Sequence, residues 1–156
     1  MLGLAVAVAA LAGCQAHEQG NAVAPAAAPS QPPQPDYHPS LADIMTMAVQ
    51  PRHTKLGIAR KTRDWPYLAY ETGELRSAFA RVVRIVPTFR GQDMAALIAS
   101  GIKDPIDDMA AAVAARDGPK FDAAYARTTA ACDACHTNLG KAFVVTKVGH
   151  QLDEAT

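Results

Sequence analysis

From Ser40 onward the apolar positions recur at the helical period, and nowhere do they alternate long enough to suggest a sheet. In SLADIMTMAVQ, Leu41, Ile44, Met45, Ala48 and Val49 share one face of a helix that Ser40 caps, with Asp43 in its first turn. Pro51 interrupts: the helix kinks there, or a second segment restarts with the proline in its first turn. The pattern continues through Leu56 and Ile58 to ARKTR, whose positive charges suit a helix C-terminus. Asp64, Trp65 and Pro66 start a second helix that turns Leu68, Leu75, Phe79, Val82 and Val86 inward and stops at Pro87. GQDMAALIASG reads as a short helix or an irregular connection. A third helix begins at Asp104 and Pro105, buries Ile106, Met109 and Val113, and ends at Gly118. Pro119 opens a fourth, with Phe121, Tyr125, Cys132 and Leu139 on one stripe before Gly140. The tail KAFVVTKVGH is long enough only for an extended packing strand. These elements predict an all-α domain, an antiparallel four-helix bundle.

Before Ser40 the pattern changes. Residues 1–13 of MLGLAVAVAALAGC are apolar, too short a run to span a bilayer and suited to the apolar region of an export signal. LAGC resembles the lipobox of bacterial lipoproteins. That resemblance implies that Cys14 is lipidated and becomes the first mature residue, and that Gln15 after it directs the protein to the outer membrane. Two or three acyl chains anchor stably where one does not. Residues 15–39, with NAVAPAAAPSQPPQP, cannot bury enough surface to order themselves and read as an extended tether. The expected organisation is a signal peptide over 1–13, an anchor site and tether over 14–39, and a folded domain over 40–156.

Composition narrows the partners. Fifteen basic and fifteen acidic residues leave a formal net charge of zero, without a basic block, so no nucleic-acid partner is expected. No acid, base or nucleophile constellation suggests an enzyme. Asp107 and Asp108 are paired by adjacency only, and successive helical residues do not face each other.

The informative stretch is ACDACH, Ala131 to His136. On a helix, Cys132, Cys135 and His136 project from one face, here the core-facing one. Two thioethers to haem vinyl groups need thiols about one turn apart, and an imidazole directly after them can meet the iron. C-x-x-C-H beside an export signal is the attachment pattern for haem c. A thioredoxin-like pair needs a strand-to-helix context that this chain lacks. A zinc site needs a second cysteine pair.

An exported all-α chain with CxxCH in its last helix resembles the class II c-type cytochromes, the cytochrome c-prime group, over roughly Ser40 to Gly140. The resemblance implies a haem inside a four-helix bundle, held by the last helix and faced by the first. High-spin members leave the sixth iron position empty behind an apolar residue; low-spin members fill it from the first helix. Two departures are visible: CHTNLG lacks the basic residue often found beside the histidine, and Pro51 interrupts the first helix.

For the sixth position the chain offers His53, with Met45 as the alternative. His17 and His38 lie in the tether and His150 in the tail. His53 falls at the edge of the apolar stripe beside the proline, and irregular helix often marks function. Met45 falls within the stripe, Met47 outside it. About 12 Å of unkinked helix separates Met45 from His53, so one ion cannot take both. Arg52, Lys55, Arg81 and Arg84 could pair with haem propionates or be solvated charges. The function expected is a periplasmic one-electron carrier, tethered to the membrane and meeting periplasmic or membrane redox proteins. The alternative is a five-coordinate haem protein that binds nitric oxide or another diatomic gas. A homodimer would use outer helix faces indistinguishable from ordinary surface.

Overall fold

Ser40 opens the first helix through a reciprocal cap: its Oγ accepts from Asp43 N–H at 3.2 Å, and the Asp43 carboxylate accepts from Ser40 N–H at 2.8 Å. In the computed structural model, residues 36–146 are described. The leader over 1–13, Cys14 with its lipid anchor, His17 and His150 lie outside the described residues. The first rod has three parts: α1 (Leu41–Ile44), one wide turn over Met45–Val49, and α2 (Gln50–Ala59). In the wide turn, Gln50 N–H bonds the Met45 carbonyl five residues back. Pro51 is the cause. It has no N–H, and its ring would strike the carbonyl four residues before it, which the widened turn moves aside. The helix therefore neither breaks nor restarts; it continues with one extra residue. That residue rotates everything after it by about 100°. Leu56 and His53 turn inward and are buried, whereas Ile58, expected inside, is exposed.

Asp64 caps α3 (Trp65–Ile85) by accepting from Tyr67 N–H at 3.2 Å, and Leu68, Leu75, Phe79 and Val82 are buried along it. A two-residue hairpin follows, β1 (Thr88–Phe89) with antiparallel β2 (Gln92–Asp93). Its turn residues Arg90 and Gly91 have φ of 50° and 77°, the left-handed pair that a two-residue hairpin loop requires. Strands this short carry no readable alternation. Asp93 then caps α4 (Met94–Gly101), accepting from Ala95 N–H at 2.8 Å and Ala96 N–H at 3.1 Å. The helix expected from Asp104 to Gly118 is α5 (Lys103–Ala114), which buries Ile106, Met109 and Val113 and ends early. Arg116 takes the left-handed conformation, φ 52°. Asp117 caps α6 (Gly118–Asn138) through Lys120 N–H at 3.0 Å. An aspartate supplies the acceptor that a glycine lacks, so Gly118 begins the last helix instead of ending the third.

The described residues are mostly helical, with this hairpin their only strand pair. α2 packs on α3, α3 on α5, and α5 on α6. α2 and α6 run antiparallel and meet through side chains. Arg63, in the turn just past α2, donates to Asp122 at 3.0 Å, and His53 of α2 meets Thr129 at 2.8 Å further along. Phe121, Ala124 and Tyr125 of α6 are buried in the core between the helices. Among the described residues, no helix is long and apolar enough to cross a membrane.

One charge cluster fastens the first rod to α3. Glu71 is 1% exposed and accepts from Arg52 at 3.2 Å, with Lys55 Nζ at 3.4 Å; Arg52 also reaches Glu74 at 3.2 Å. Removing one partner of a buried pair leaves a charge without compensation. Arg52→Ala is therefore expected to lose about 3 kcal/mol in denaturant unfolding, the lower end of the range because Lys55 remains. A loss below about 1 kcal/mol, the size of a surface ion pair, would show that Lys55 alone suffices.

Candidate functional site

The CxxCH run occupies the last turns of α6, and its three chemical residues converge on one place. Cys132, Cys135 and His136 line a cavity of about 430 Å³. Leu41, Met45, Val49 and His53 of the first rod form a facing wall, and Phe79 and Ile102 contribute from α3 and the residue before α5. The chain after α6, Lys141 with Phe143 to Thr146, completes it. The volume is that of a ligand or cofactor site, and the walls are mainly apolar.

Both thiols are free, Cys132 buried and Cys135 half-buried. Burial first, then the charges of Asp133 and Cys135, push the Cys132 thiol up to about 12. Burial also raises Cys135. The helix C-terminus adds a negative end rather than the positive one that activates thiols. These cysteines are neutral thiols at pH 7, unlike a dithiol redox pair, whose nucleophile has a lowered pKa. Among the described residues, no group of three or more His, Cys, Asp or Glu side chains is placed to hold a metal ion by itself.

His136 is half-buried, and its Nδ1 lies 2.8 Å from the Val144 carbonyl. A carbonyl only accepts, so Nδ1 carries a proton, and a neutral ring then has its lone pair at Nε2. This is the state in which an imidazole binds a metal.

His53 is buried, 2% exposed, and lies in the cavity wall. Its ring stacks on Tyr125 with centroids 4.6 Å apart. Thr129 Oγ1 donates to the Tyr125 carbonyl at 3.1 Å, so at 2.8 Å it accepts from His53 Nε2–H. Tyr125 Oη donates to the His53 carbonyl at 3.1 Å, and His53 Nδ1 is 3.4 Å from the same hydroxyl. The ring is thus held by α6. Burial pushes it down to about 4, partly offset by the Asp133 charge. The unfolded ring protonates near its ordinary 6.5, the folded ring only near 4, so unfolding takes up a proton in that window. Chain without haem is expected to lose about 3 kcal/mol of stability as pH falls from 6.5 to about 4, with the loss ending below that. Denaturant unfolding of His53→Ala across the same range checks it: that variant should lack this part of the slope.

Met45 is half-buried and lines the cavity; Met47 is 64% exposed. The four basic residues considered for propionates are not in the cavity wall. Arg52 and Lys55 are held by Glu71, and Arg84 is exposed. Lys141 is in the wall instead. So is Thr146, whose buried Oγ1 has no hydrogen-bond partner. Helical periodicity could not find either, because both lie beyond the last helix. Asp107 pairs with Arg76 and Lys103 at 2.7 Å each, and Asp108 with Arg127 at 2.6 Å. His38 lies beside Asp36 at 3.5 Å on the exposed approach to α1.

Compared with family models, with curated proteins and with solved structures, the chain finds no match.

Proposed function

We propose that this chain is a monohaem c-type cytochrome that carries single electrons in the periplasm. In this reading Cys132 and Cys135 hold the haem through thioethers and His136 is the proximal iron ligand. One observation carries it: two thiols and an imidazole whose Nδ1 is held by a backbone carbonyl line the same apolar cavity of about 430 Å³. When bound, the haem supplies the one-electron couple of its iron.

The residues present fit such a group. Apolar walls from the first rod, Phe79 and Ile102 would exclude water from a group bound in the cavity. Lys141 and the unpartnered Thr146 hydroxyl, both in the wall, are donors that could pair with an acidic substituent. In this reading the rods 41–59, 65–85, 103–114 and 118–138 form the four-helix bundle that the cytochrome c-prime resemblance implies, with the first rod opposite the last. For the sixth position the geometry favours Met45 over His53. His53 Nε2–H is already donated to Thr129, whereas Met45 is a soft thioether in the wall. The function remains binding and transfer rather than catalysis. The lipidated Cys14 and the tether would hold the domain near the outer membrane, within reach of periplasmic or membrane redox proteins.

A reductive titration of the matured protein tests this. A single reversible one-electron transition, sharp low-spin bands and slow carbon monoxide uptake are expected. A broad high-spin spectrum with ready carbon monoxide uptake would replace the carrier by the gas-binding alternative.

A further inference from the structure

We propose that Lys141–Thr146 is a strap that positions His136 and tunes it toward the iron, and that Asp133, between the two cysteines, is its latch. The role rests on His136 being the proximal ligand. The geometry stands on its own.

Gly140, φ 68°, reverses the chain at the end of α6. Its N–H donates to the Thr137 carbonyl at 3.0 Å, and Lys141 N–H donates to the His136 carbonyl at 2.7 Å, the paired bonds of a helix C-terminal reversal. Val144 N–H donates to the Lys141 carbonyl at 2.8 Å, tightening the return. The Val144 carbonyl is thereby presented to His136 Nδ1 at 2.8 Å, and Thr146 N–H donates to Asp133 Oδ1 at 2.7 Å. The strap's apolar side chains remain largely exposed, Phe143 at 79% and Val145 at 66%. Burial in the polypeptide therefore does little to hold it, and the hydrogen bonds do most.

An imidazole at a helix C-terminus otherwise turns freely about its side-chain torsions. The Val144 carbonyl fixes the ring plane and the tautomer, and makes Nε2 a stronger donor. A stronger proximal donor stabilises ferric over ferrous iron and lowers the reduction potential. A carboxylate at position 133 keeps that carbonyl in place from inside the attachment motif.

The test compares the full-length parent with Asp133→Ala, Asp133→Asn and a chain ending at Lys141. The first readout is the His136 ring by nitrogen-15 NMR, which works with or without haem. The parent is expected to show a protected Nδ1–H. Asp133→Ala and the shortened chain should exchange it about tenfold faster, the protection of one ordinary hydrogen bond. Asp133→Asn keeps an acceptor oxygen and should retain most of the protection. In haem-loaded protein the same two variants should shift the reduction potential upward, with Asp133→Asn close to the parent. Unchanged exchange in both, in chains that remain folded, would overturn the strap. An unchanged potential despite faster exchange would overturn its tuning role. A colourless parent with a protected Nδ1–H would fail the cytochrome reading and the tuning role, and leave the latch standing.

Discussion

Replacing Cys132 and Cys135 together by alanine is expected to abolish covalent haem completely while leaving a folded chain. Cys132 and Cys135 are the only thiols among the described residues, so no other thiol there can substitute. The cost to the polypeptide is small. Cys135 is half-buried, and removing one buried sulfur at Cys132 costs about 1 kcal/mol. Chromophore retained after acid unfolding should therefore fall to zero, and each single variant should keep one thioether. If the double variant still retains haem after unfolding, the attachment assignment is wrong.

The second large effect separates Met45 from His53. Met45→Ala in the matured protein is expected to remove the low-spin bands and open the iron to carbon monoxide. His53→Ala should leave the coordination spectrum in place. To reach iron, His53 would have to give up its 2.8 Å bond to Thr129 and its stacking on Tyr125, together about 2 kcal/mol. Met45 gives up no hydrogen bond. The His53 variant should instead appear in stability, and in the lost pH slope described above. The reverse pattern, high-spin iron in His53→Ala and none in Met45→Ala, would return the ligand to His53.

Much of the helical framework was legible in the chain, and the misreadings have local causes. The caps at Ser40 and Asp64 and the stripe Phe121, Tyr125, Cys132 and Leu139 follow from helical period and capping chemistry, and the structure has them. His53 fell at the edge of the stripe because a wheel assumes a constant period. The wide turn before Pro51 inserts one residue, which carries His53 fully inside and Ile58 out. Gly118 looked like a stop because glycine often ends helices, but Arg116 took the left-handed position and Asp117 the cap. The hold on His136 was not legible at all. It comes from a backbone carbonyl, and every residue has one. Lys141 and Thr146 reach the cavity by the same reversal, which only Gly140 hinted at.

Iron porphyrin bonded to the last helix is the claim on which the electron-carrier reading and the ligand roles depend. Intact mass and visible spectrum of the chain, exported and matured in a bacterium competent to attach haem, test it most directly. The account predicts the polypeptide plus one haem, with colour that survives unfolding in acid. A folded, colourless chain at polypeptide mass would contradict it.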